Sequence, residues 1–286
     1  MRYWYYPGCS LHSTGAEYDQ SARAVGQALG VEFVEVEDWN CCGASSVHTL
    51  GSPEVAAALP ARNVMLAQRE PWDLVAPCAD CFYHSAVADD RLRGDDSFRA
   101  SLEATVGLRY SGQGRPRTLL HVLASDVPVA KVAARVTCPL GGLRPACYYG
   151  CLLVRPPAVA RRWDDPEHPV LMGRLLGAVG AQAVRWSYAV ECCGASLAIS
   201  RGDVVTRLVG RIVDGAEEAG ANCLVTACPM CQANLESRQG ARSQEMPVFY
   251  FTELLGLAFG LPGVAGWLKK HLIDPRPLLT SLGHSL

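Results

Sequence analysis

A repeated cysteine pattern constrains this sequence more than any other feature. A single cysteine, an adjacent pair and a C-x-x-C occur twice in that order, with 31 and 40 residues before the pair and 35 and 34 after it. Because the order and spacing are nearly the same, the chain is predicted to contain two copies of one module. The ten cysteines are Cys9, Cys41, Cys42, Cys78 and Cys81 in the first set, and Cys151, Cys192, Cys193, Cys228 and Cys231 in the second set.

The sequence around these cysteines repeats as well. Tyr5-Tyr6-Pro7-Gly8-Cys9 has Tyr148-Tyr149-Gly150-Cys151 as its counterpart, and Gly-Ala-Ser follows each adjacent pair. The stretch 134–144 contains glycine and proline and is the predicted junction. We therefore expect one module at 1–143 and a second at 144–286, the second ending in an apolar segment that is a candidate docking surface.

The pattern of apolar residues predicts an α/β fold. Residues 31–36 and 183–190 are rich in β-branched and alternating apolar residues, so each is predicted to be a strand running towards an adjacent cysteine pair. Residues 224–226 form a short apolar run, and Cys228-Pro229 is predicted to begin the next helix. This alternation of strands and helices favours a small parallel sheet flanked by helices in each module, and the C-x-x-C at a helix N-terminus suits an anionic thiolate group.

Composition and charge narrow the class of protein. The 286 residues carry a formal charge of −2 with no basic stripe, so we expect no nucleic-acid partner. The 13 cysteines and the absence of an export signal predict thiolate metal ligands in a reducing compartment, and hence a cytoplasmic protein. The stretch 248–268 is long enough to span a membrane, but it contains Glu253 and Pro262, so a buried helix at 252–260 and no transmembrane segment is predicted.

Five motif cysteines per copy favour an iron–sulfur cluster. A structural zinc ion takes four ligands and has no use for a fifth. Two adjacent cysteines on extended backbone point to opposite sides, which suits several irons better than one small ion. The glycine after each pair is expected to let the backbone approach the cluster closely. Zinc in one or both modules is an alternative interpretation.

The motifs together resemble those of a known family. Tyr5-Tyr6-Pro7-Gly8-Cys9, Trp39-Asn40-Cys41-Cys42-Gly43-Ala44 and Cys228-Pro229-Met230-Cys231-Gln232-Ala233-Asn234, with the spacing given above, are similar to the CCG (cysteine-rich) domains of the heterodisulfide reductase B chain. The resemblance covers essentially the whole chain. Its bacterial branch, which acts in sulfur oxidation, is the slightly favoured one.

The resemblance implies a cofactor, a reaction and partners. Each cysteine set would hold a non-cubane [4Fe–4S] cluster through its five thiolates, and the clusters would lie near the interface of the modules. A disulfide would be cleaved in the cleft between them, so the chain would be an oxidoreductase acting on disulfide, thiol or persulfide sulfur. Electrons would pass from a flavin-bearing A subunit through an iron–sulfur C subunit.

An electron-transfer or adaptor subunit is the second functional hypothesis. CCG modules also occur in complexes that oxidise succinate, glycolate or lactate and in some cases reduce quinone. Two complete sets of five cysteines favour the catalytic hypothesis, because a simple relay has less need of paired clusters. Activity with disulfides or persulfides, compared with quinone reduction, distinguishes the two.

Several residues outside the pattern have open roles. Cys223 is predicted to be a buried apolar residue, while Cys147 and Cys138 are spare thiols. His84 is either a second donor near the first set or an exposed helix residue, and His121 is predicted to be a core histidine with its hydrogen bonds satisfied. Three further side chains are candidates for the cleft, with core or surface positions as the alternatives: Tyr6, Tyr149 and Arg155.

Overall fold

The protein is an α/β fold with two small parallel sheets flanked by helices, as predicted. The computed structural model describes residues 1–44, 53–155, 157–160, 162–240, 242 and 244–285. The first sheet has the order β2-β1-β3-β4 and the second the order β5-β6-β7. The strands are β1 (Arg2–Tyr5), β2 (Glu32–Glu35), β3 (Leu74–Ala76), β4 (Pro116–Thr118), β5 (Pro145–Tyr148), β6 (Cys223–Thr226) and β7 (Val248–Tyr250).

Helices cover both sheets. The first half of the chain contains α1 (Gly8–Leu11), α2 (Ala16–Ala28), α3 (Pro53–Leu66), α4 (Ala79–Gly94), α5 (Asp96–Val106), α6 (Leu119–His121), a π-helical turn (Val122–Asp126) and α7 (Val129–Ala133). The second half contains α8 (Pro157–Ala160), α9 (Leu171–Gly177), a 3₁₀ turn (Ala195–Leu197), α10 (Gly202–Glu218), α11 (Pro229–Ser237), α12 (Phe251–Ala258), α13 (Val264–Leu268) and α14 (Arg276–Ser281).

The two sheets correspond strand by strand except at one edge. The predicted strand at 31–36 is present as β2, which pairs in parallel with β1. The predicted strand at 183–190 is wrong, because no regular strand forms there. The segment still runs beside β5, since the N–H groups of Gln182 and Val184 donate to the carbonyls of Leu143 and Pro145 at 2.9 and 3.0 Å. It leaves the sheet after two bonds, so the alternating sequence continues as irregular chain towards Cys192.

One continuous hydrophobic core joins both sheets. Helix α2 from the first half packs against β7 and α12 from the second: the rings of Tyr18 and Tyr250 are stacked with centroids 4.2 Å apart, and the hydroxyls of Ser21 and Thr252 are 2.7 Å apart. The halves therefore share an interior instead of touching only at their surfaces.

The apolar C-terminal segment lies mostly inside this core. Every residue of α12 is buried, so the prediction of a docking surface is wrong for that helix. Within 248–268, α12 packs on α2 and on α13. This packing explains the apolar composition of the segment without a partner protein. None of the described helices is long and apolar enough to cross a membrane.

Candidate functional site

Most of the motif cysteines follow the carboxyl ends of parallel strands. Cys9 and Cys151 lie four and three residues after β1 and β5, and both C-x-x-C motifs begin two residues after β3 and β6. Cys78 and Cys228 are the N-cap residues of α4 and α11, as the sequence predicted for the second motif. Parallel strands place their carboxyl ends at one edge of a sheet, so cysteines that are far apart in sequence meet there.

Within each set the cysteines make the same two contacts. The first cysteine touches the first of the adjacent pair: Cys9–Cys41 sulfurs are 3.8 Å apart and Cys151–Cys192 sulfurs 3.7 Å. The second of the pair touches the last cysteine of the C-x-x-C, with distances of 3.7 Å for Cys42–Cys81 and 3.5 Å for Cys193–Cys231. These separations are van der Waals contacts and far exceed the roughly 2.05 Å of a disulfide.

The remaining cysteine of each set faces the other set. Cys78 and Cys228 are both buried, and they lie close enough that each perturbs the other: Cys228 raises the pKa of Cys78, and Cys78 lowers the pKa of Cys228. Each is perturbed as well by the last cysteine of its own C-x-x-C. The two sets therefore adjoin at the interface between the halves of the chain.

Two glycines give these thiols their space. Gly8 and Gly150 have φ angles of +71° and +67°, and a Cβ added there would lie 2.7 Å from Cys81 Sγ and 3.2 Å from Cys231 Sγ. Sequence reasoning expected this role from the glycine after each adjacent pair instead. Gly194 does have a positive φ of 80°, but the nearest atom to its added Cβ is Cδ1 of a leucine, so its contribution is the turn.

Two buried tyrosines fix the approach to each adjacent pair. Tyr6 Oη donates to the carbonyl of Asn40 at 2.8 Å, and Tyr148 Oη donates to the carbonyl of Glu191 at 2.6 Å. Each tyrosine lies three residues before a motif cysteine, and each acceptor lies one residue before a pair. Sequence reasoning missed Tyr148, although this equal spacing identifies it as the counterpart of Tyr6. In the second set, Asn234 Nδ2 also reaches the carbonyl and sulfur of Cys193, at 3.3 and 3.7 Å.

A cleft of about 110 Å³ opens beside the second set. All five cysteines of that set line it, and its walls are mostly apolar. Tyr149 lines the cleft, as predicted, and the first half of the chain contributes Ala79 and Asp80. Burial, followed by the nearby Cys228, raises the pKa of Asp80 to about 7. His84 does not line the cleft itself, but its Nε2 is 4.0 Å from Oδ1 of Asp80, which does.

Within each contacting pair of cysteines, the pKa of one thiol is lowered and that of the other is raised. A hydrogen bond from Cys151 lowers the pKa of Cys192 to about 6, helped by the N–H of Gly194 at 3.3 Å, and the same bond raises the pKa of Cys151. The contact between Cys42 and Cys81 acts alike, lowering the pKa of Cys81 and raising that of Cys42. Crowded thiols of this kind cannot all ionise without a positive charge among them.

The donor set fits an iron–sulfur group. Each set offers five thiols, and a glycine without a Cβ leaves room for a sulfur beside the backbone. Thiolates of this number are the ligands that iron–sulfur clusters take. Among the described residues, no group of three or more His, Cys, Asp or Glu side chains is placed so that it could hold a single metal ion.

The cysteines outside the pattern are elsewhere. Cys223 is fully buried in β6, as predicted, and Cys147 is buried in β5. Burial raises the pKa of both thiols, that of Cys147 to about 12. Cys138 is exposed in the stretch between the sheets.

The other open residues are now placed. Tyr6 is fully buried against Trp39, so it packs in the core. Arg155 pairs with Glu167 at 3.0 Å and does not line the cleft. His121 is buried, but the prediction that its hydrogen bonds are satisfied is wrong, because Nδ1 has no hydrogen-bond partner among the residues that the structure describes.

Comparison with known proteins identifies the family. A family model for the CCG cysteine-rich domain matches residues 3–84 and 146–236. This chain belongs to the CCG cysteine-rich family. The two matched regions contain all ten motif cysteines, which confirms the duplication that was inferred from the spacing.

Curated relatives cover nearly the whole chain. It is 31% identical over 281 residues to the 8-methylmenaquinol:fumarate reductase membrane anchor subunit of Wolinella succinogenes, covering 96% of this chain and 98% of that protein. It is 28% identical to the B chain of the ferredoxin/F420H2-dependent CoB–CoM heterodisulfide reductase of Methanosarcina acetivorans, covering 88% and 87%. The resemblance to the heterodisulfide reductase B chain is thus confirmed. These relatives support the assignment of the protein as an iron–sulfur redox subunit.

A solved structure shares the fold. A crystal structure of a hypothetical protein from Helicobacter pylori superposes with a TM-score of 0.72 at 11% identity. The match covers 96% of this chain but only 52% of that one, so this chain spans about half its length.

Proposed function

We propose that the chain is the iron–sulfur catalytic subunit of a heterodisulfide reductase-like complex. It carries out two-electron redox chemistry on disulfide, thiol or sulfane sulfur at a pair of non-cubane [4Fe–4S] centres. The observation that carries this proposal is the cleft beside Cys228, which Ala79 and Asp80 from the first C-x-x-C also line, so that the two cysteine sets adjoin there.

The stoichiometry of disulfide cleavage is a reason for two iron–sulfur centres. Cleaving one disulfide consumes two electrons and two protons and yields two thiols. Iron–sulfur centres would supply these electrons one at a time, so two adjoining sets match one substrate bond. We propose that the sulfur substrate binds in the cleft lined by the five cysteines of the second set and by Ala79 and Asp80 of the first C-x-x-C.

The ligands follow from the two contact sets. We assign the first centre to Cys9, Cys41, Cys42, Cys78 and Cys81, and the second to Cys151, Cys192, Cys193, Cys228 and Cys231. The module boundary stays at residues 143 and 144. Zinc in one module is the alternative occupant that metal analysis removes or establishes.

A complex is part of the proposal. The chain has no flavin or nucleotide fingerprint and no ferredoxin-type cysteine run, so it needs partners that deliver electrons. We propose an iron–sulfur C-like subunit and a flavin-bearing A-like subunit, in the cytoplasm. Sulfur metabolism of the bacterial oxidative type is the setting that we favour.

Metal analysis with single variants tests this function. Anaerobically prepared protein is expected to contain about eight irons with matching acid-labile sulfide. Cys78→Ser and Cys228→Ser should each abolish the reduction of a disulfide by reduced viologen, whereas Cys138→Ser, at an exposed cysteine outside both sets, should not. About four irons with one zinc, or full activity in Cys78→Ser and Cys228→Ser, would refute paired catalysis.

An electron-transfer or anchor subunit is the second candidate. The full-length similarity to the membrane anchor subunit of a methylmenaquinol:fumarate reductase favours it. In that case the protein would exchange electrons with a quinone and leave disulfides untouched. Parallel assays with a short-chain menaquinone analogue and with a set of disulfides distinguish the two candidates, because each predicts turnover in only one assay.

A further inference from the structure

A buried charged triad lies behind the second C-x-x-C motif. His271 Nδ1 is 2.6 Å from Glu236 Oε1, and His271 Nε2 is 3.0 Å from Glu253 Oε1. All three side chains are at most 1% exposed. Since solvent does not reach these groups, each charge depends on hydrogen-bond and ion-pair partners within the protein.

The contacts fix the charges of the triad. Both ring nitrogens of His271 face a carboxylate, and we assign a proton to each, so that the imidazole donates to both carboxylates and is a cation. The N–H groups of Leu272 and Tyr250 donate to the second oxygens of Glu236 and Glu253, at 2.8 and 2.9 Å, so each carboxylate accepts from the backbone as well as from the imidazole. One cation between two anions leaves a net charge of −1.

The surrounding groups agree with this assignment. Burial lowers the pKa of His271, but Glu253 and Glu236 outweigh it and raise the pKa to about 10. Glu17 from α2 also faces the triad, and burial raises the pKa of its carboxyl, with Lys270 acting in the opposite direction. On the histidine's own segment, Asp274 is a further acidic neighbour.

The triad is attached to the helix that carries the second cysteine set. Glu236 lies on α11, five residues after Cys231. Gln232, which follows Cys231 directly, has its Nε2 3.5 Å from His271 Nδ1. Gln232 and Glu236 share one face of α11, four residues apart, so the triad lies within two helical turns of Cys231.

The first set has no such charge at the matching positions. Phe82 follows Cys81 where Gln232 follows Cys231, and Ala86 stands in the place of Glu236. His121 stands in the place of Glu253, three residues after the N-cap that ends the last strand. Its ring contacts Phe82 edge-on at 6.0 Å, and burial together with Arg117 lowers its pKa to about 3, so it is neutral.

The charged network of the first half is placed differently. Arg117 pairs with Asp126 and Asp73, but these carboxylates are 26% and 31% exposed. Asp73 precedes β3, at the amino end of the sheet and opposite to Cys78. Solvent screening and distance weaken the electrostatic effect of these carboxylates on the first set. The buried carboxylates of the triad near the second set are not screened by solvent.

We infer that the two centres differ in reduction potential, with the triad of Glu236, His271 and Glu253 making the second centre harder to reduce. The inference rests on the proposed function, which provides two centres to compare. Net negative charge near an iron–sulfur centre disfavours adding an electron. The first electron then resides on the first centre, and the second centre is the stronger reductant beside the cleft.

Potentiometric titration of the complete protein tests this inference. Glu236→Gln changes the charge of the triad from −1 to 0. The equilibrium constant for reducing the second centre should rise at least tenfold, which raises the lower of the two potentials by at least 59 mV for one electron. The higher potential should not move. Glu218→Gln makes the same change at an exposed position of α10 and should shift neither. If Glu236→Gln does not fold, Glu253→Gln removes the same charge and carries the same expectation.

Nitrogen-15 spectra of histidine-labelled protein at pH 8 provide a readout that is independent of the potentials. One doubly protonated imidazole is expected, and it should be missing in His271→Gln. A neutral His271, a shift of the higher potential, or equal shifts of both would overturn the inference and leave the two-centre function intact. Protein without iron would refute the proposed function itself, and the inference with it.

Discussion

Replacing Gly8 by alanine tests whether close sulfur packing explains the glycine before each set. The added Cβ would lie 2.7 Å from Cys81 Sγ, which is closer than packed atoms approach, so the sulfur must move. The positive φ of +71° alone costs an alanine about 1–2 kcal/mol. Forced overpacking adds about 1–3 kcal/mol, so the total loss is about 2–5 kcal/mol.

Two further glycines separate the strain from the contact. Gly150 has a φ of +67° and an added Cβ would lie 3.2 Å from Cys231 Sγ, a tight but smaller overlap. Gly107 ends α5 with a φ of +75°, and nothing lies within 4 Å of its added Cβ. Because the three φ angles agree closely, differences among the alanine variants report the contacts of the added Cβ: Cys81 Sγ for Gly8, and Cys231 Sγ with the Tyr148 ring at 3.4 Å for Gly150.

Calorimetry at one scan rate and iron analysis provide the assay. Each 1 kcal/mol corresponds to about 2–4 °C in Tm for a chain of this size class. The expected order of Tm is Gly107→Ala, then Gly150→Ala, then Gly8→Ala as the lowest. Gly8→Ala should also lose about half of the iron, that of the first set, while Gly107→Ala keeps all of it. Equal losses in Gly107→Ala and Gly8→Ala, with full iron in both, would refute the reasoning.

Three other changes have defined outcomes. Tyr148→Phe removes the bond to the carbonyl of Glu191 and should cost about 1 kcal/mol by denaturation; no loss would mean that the bond does not hold the pair in place. Burial lowers the pKa of His121 to about 3, so protonating this histidine destabilises the fold as pH falls from 6.5 towards 3. His121→Phe should reduce the slope of the unfolding free energy against pH in this range by up to about 1.36 kcal/mol per pH unit, the value for one proton. Identical pH slopes in the two proteins would contradict this. Asp90→Asn breaks partly exposed pairs with Arg162 and Arg115 and should cost less than about 1 kcal/mol, so a larger loss would assign these pairs a structural role.

Local sequence was sufficient to predict the parts of the site that depend on neighbouring residues. Cys228-Pro229 after an apolar run predicted a strand followed by a helix, and the structure has β6, then Cys228 as N-cap, then α11. The order of cysteines predicted two related halves, and the family match agrees. These features need only strand length, a proline at the first helical position and a repeat.

Long-range features escaped the sequence. Residues 183–190 have a strand-like pattern, but their hydrogen bonds to β5 stop after Val184 and the chain turns towards Cys192. The apolar stretch at 248–268 resembled a surface for a partner because nothing local indicates that α2 covers it. His271 is 18 residues from Glu253 and 35 from Glu236, so their meeting depends on how α11, α12 and the C-terminal segment pack.

The contact between Cys78 and Cys228 gives a physical reason for keeping both modules in one chain. Both cysteines are buried, and Tyr18 Oη of the first half donates to the carbonyl just before Cys228 at 3.3 Å. A second module alone would lose this cover over the N-terminus of α11. The stacking of Tyr18 on Tyr250 joins the halves about the same helices, so forming the shared core and forming the composite site are one event. Once both halves are joined, their matching positions no longer face matching surroundings, which is how Asp80 comes to line a cleft otherwise formed by the second set.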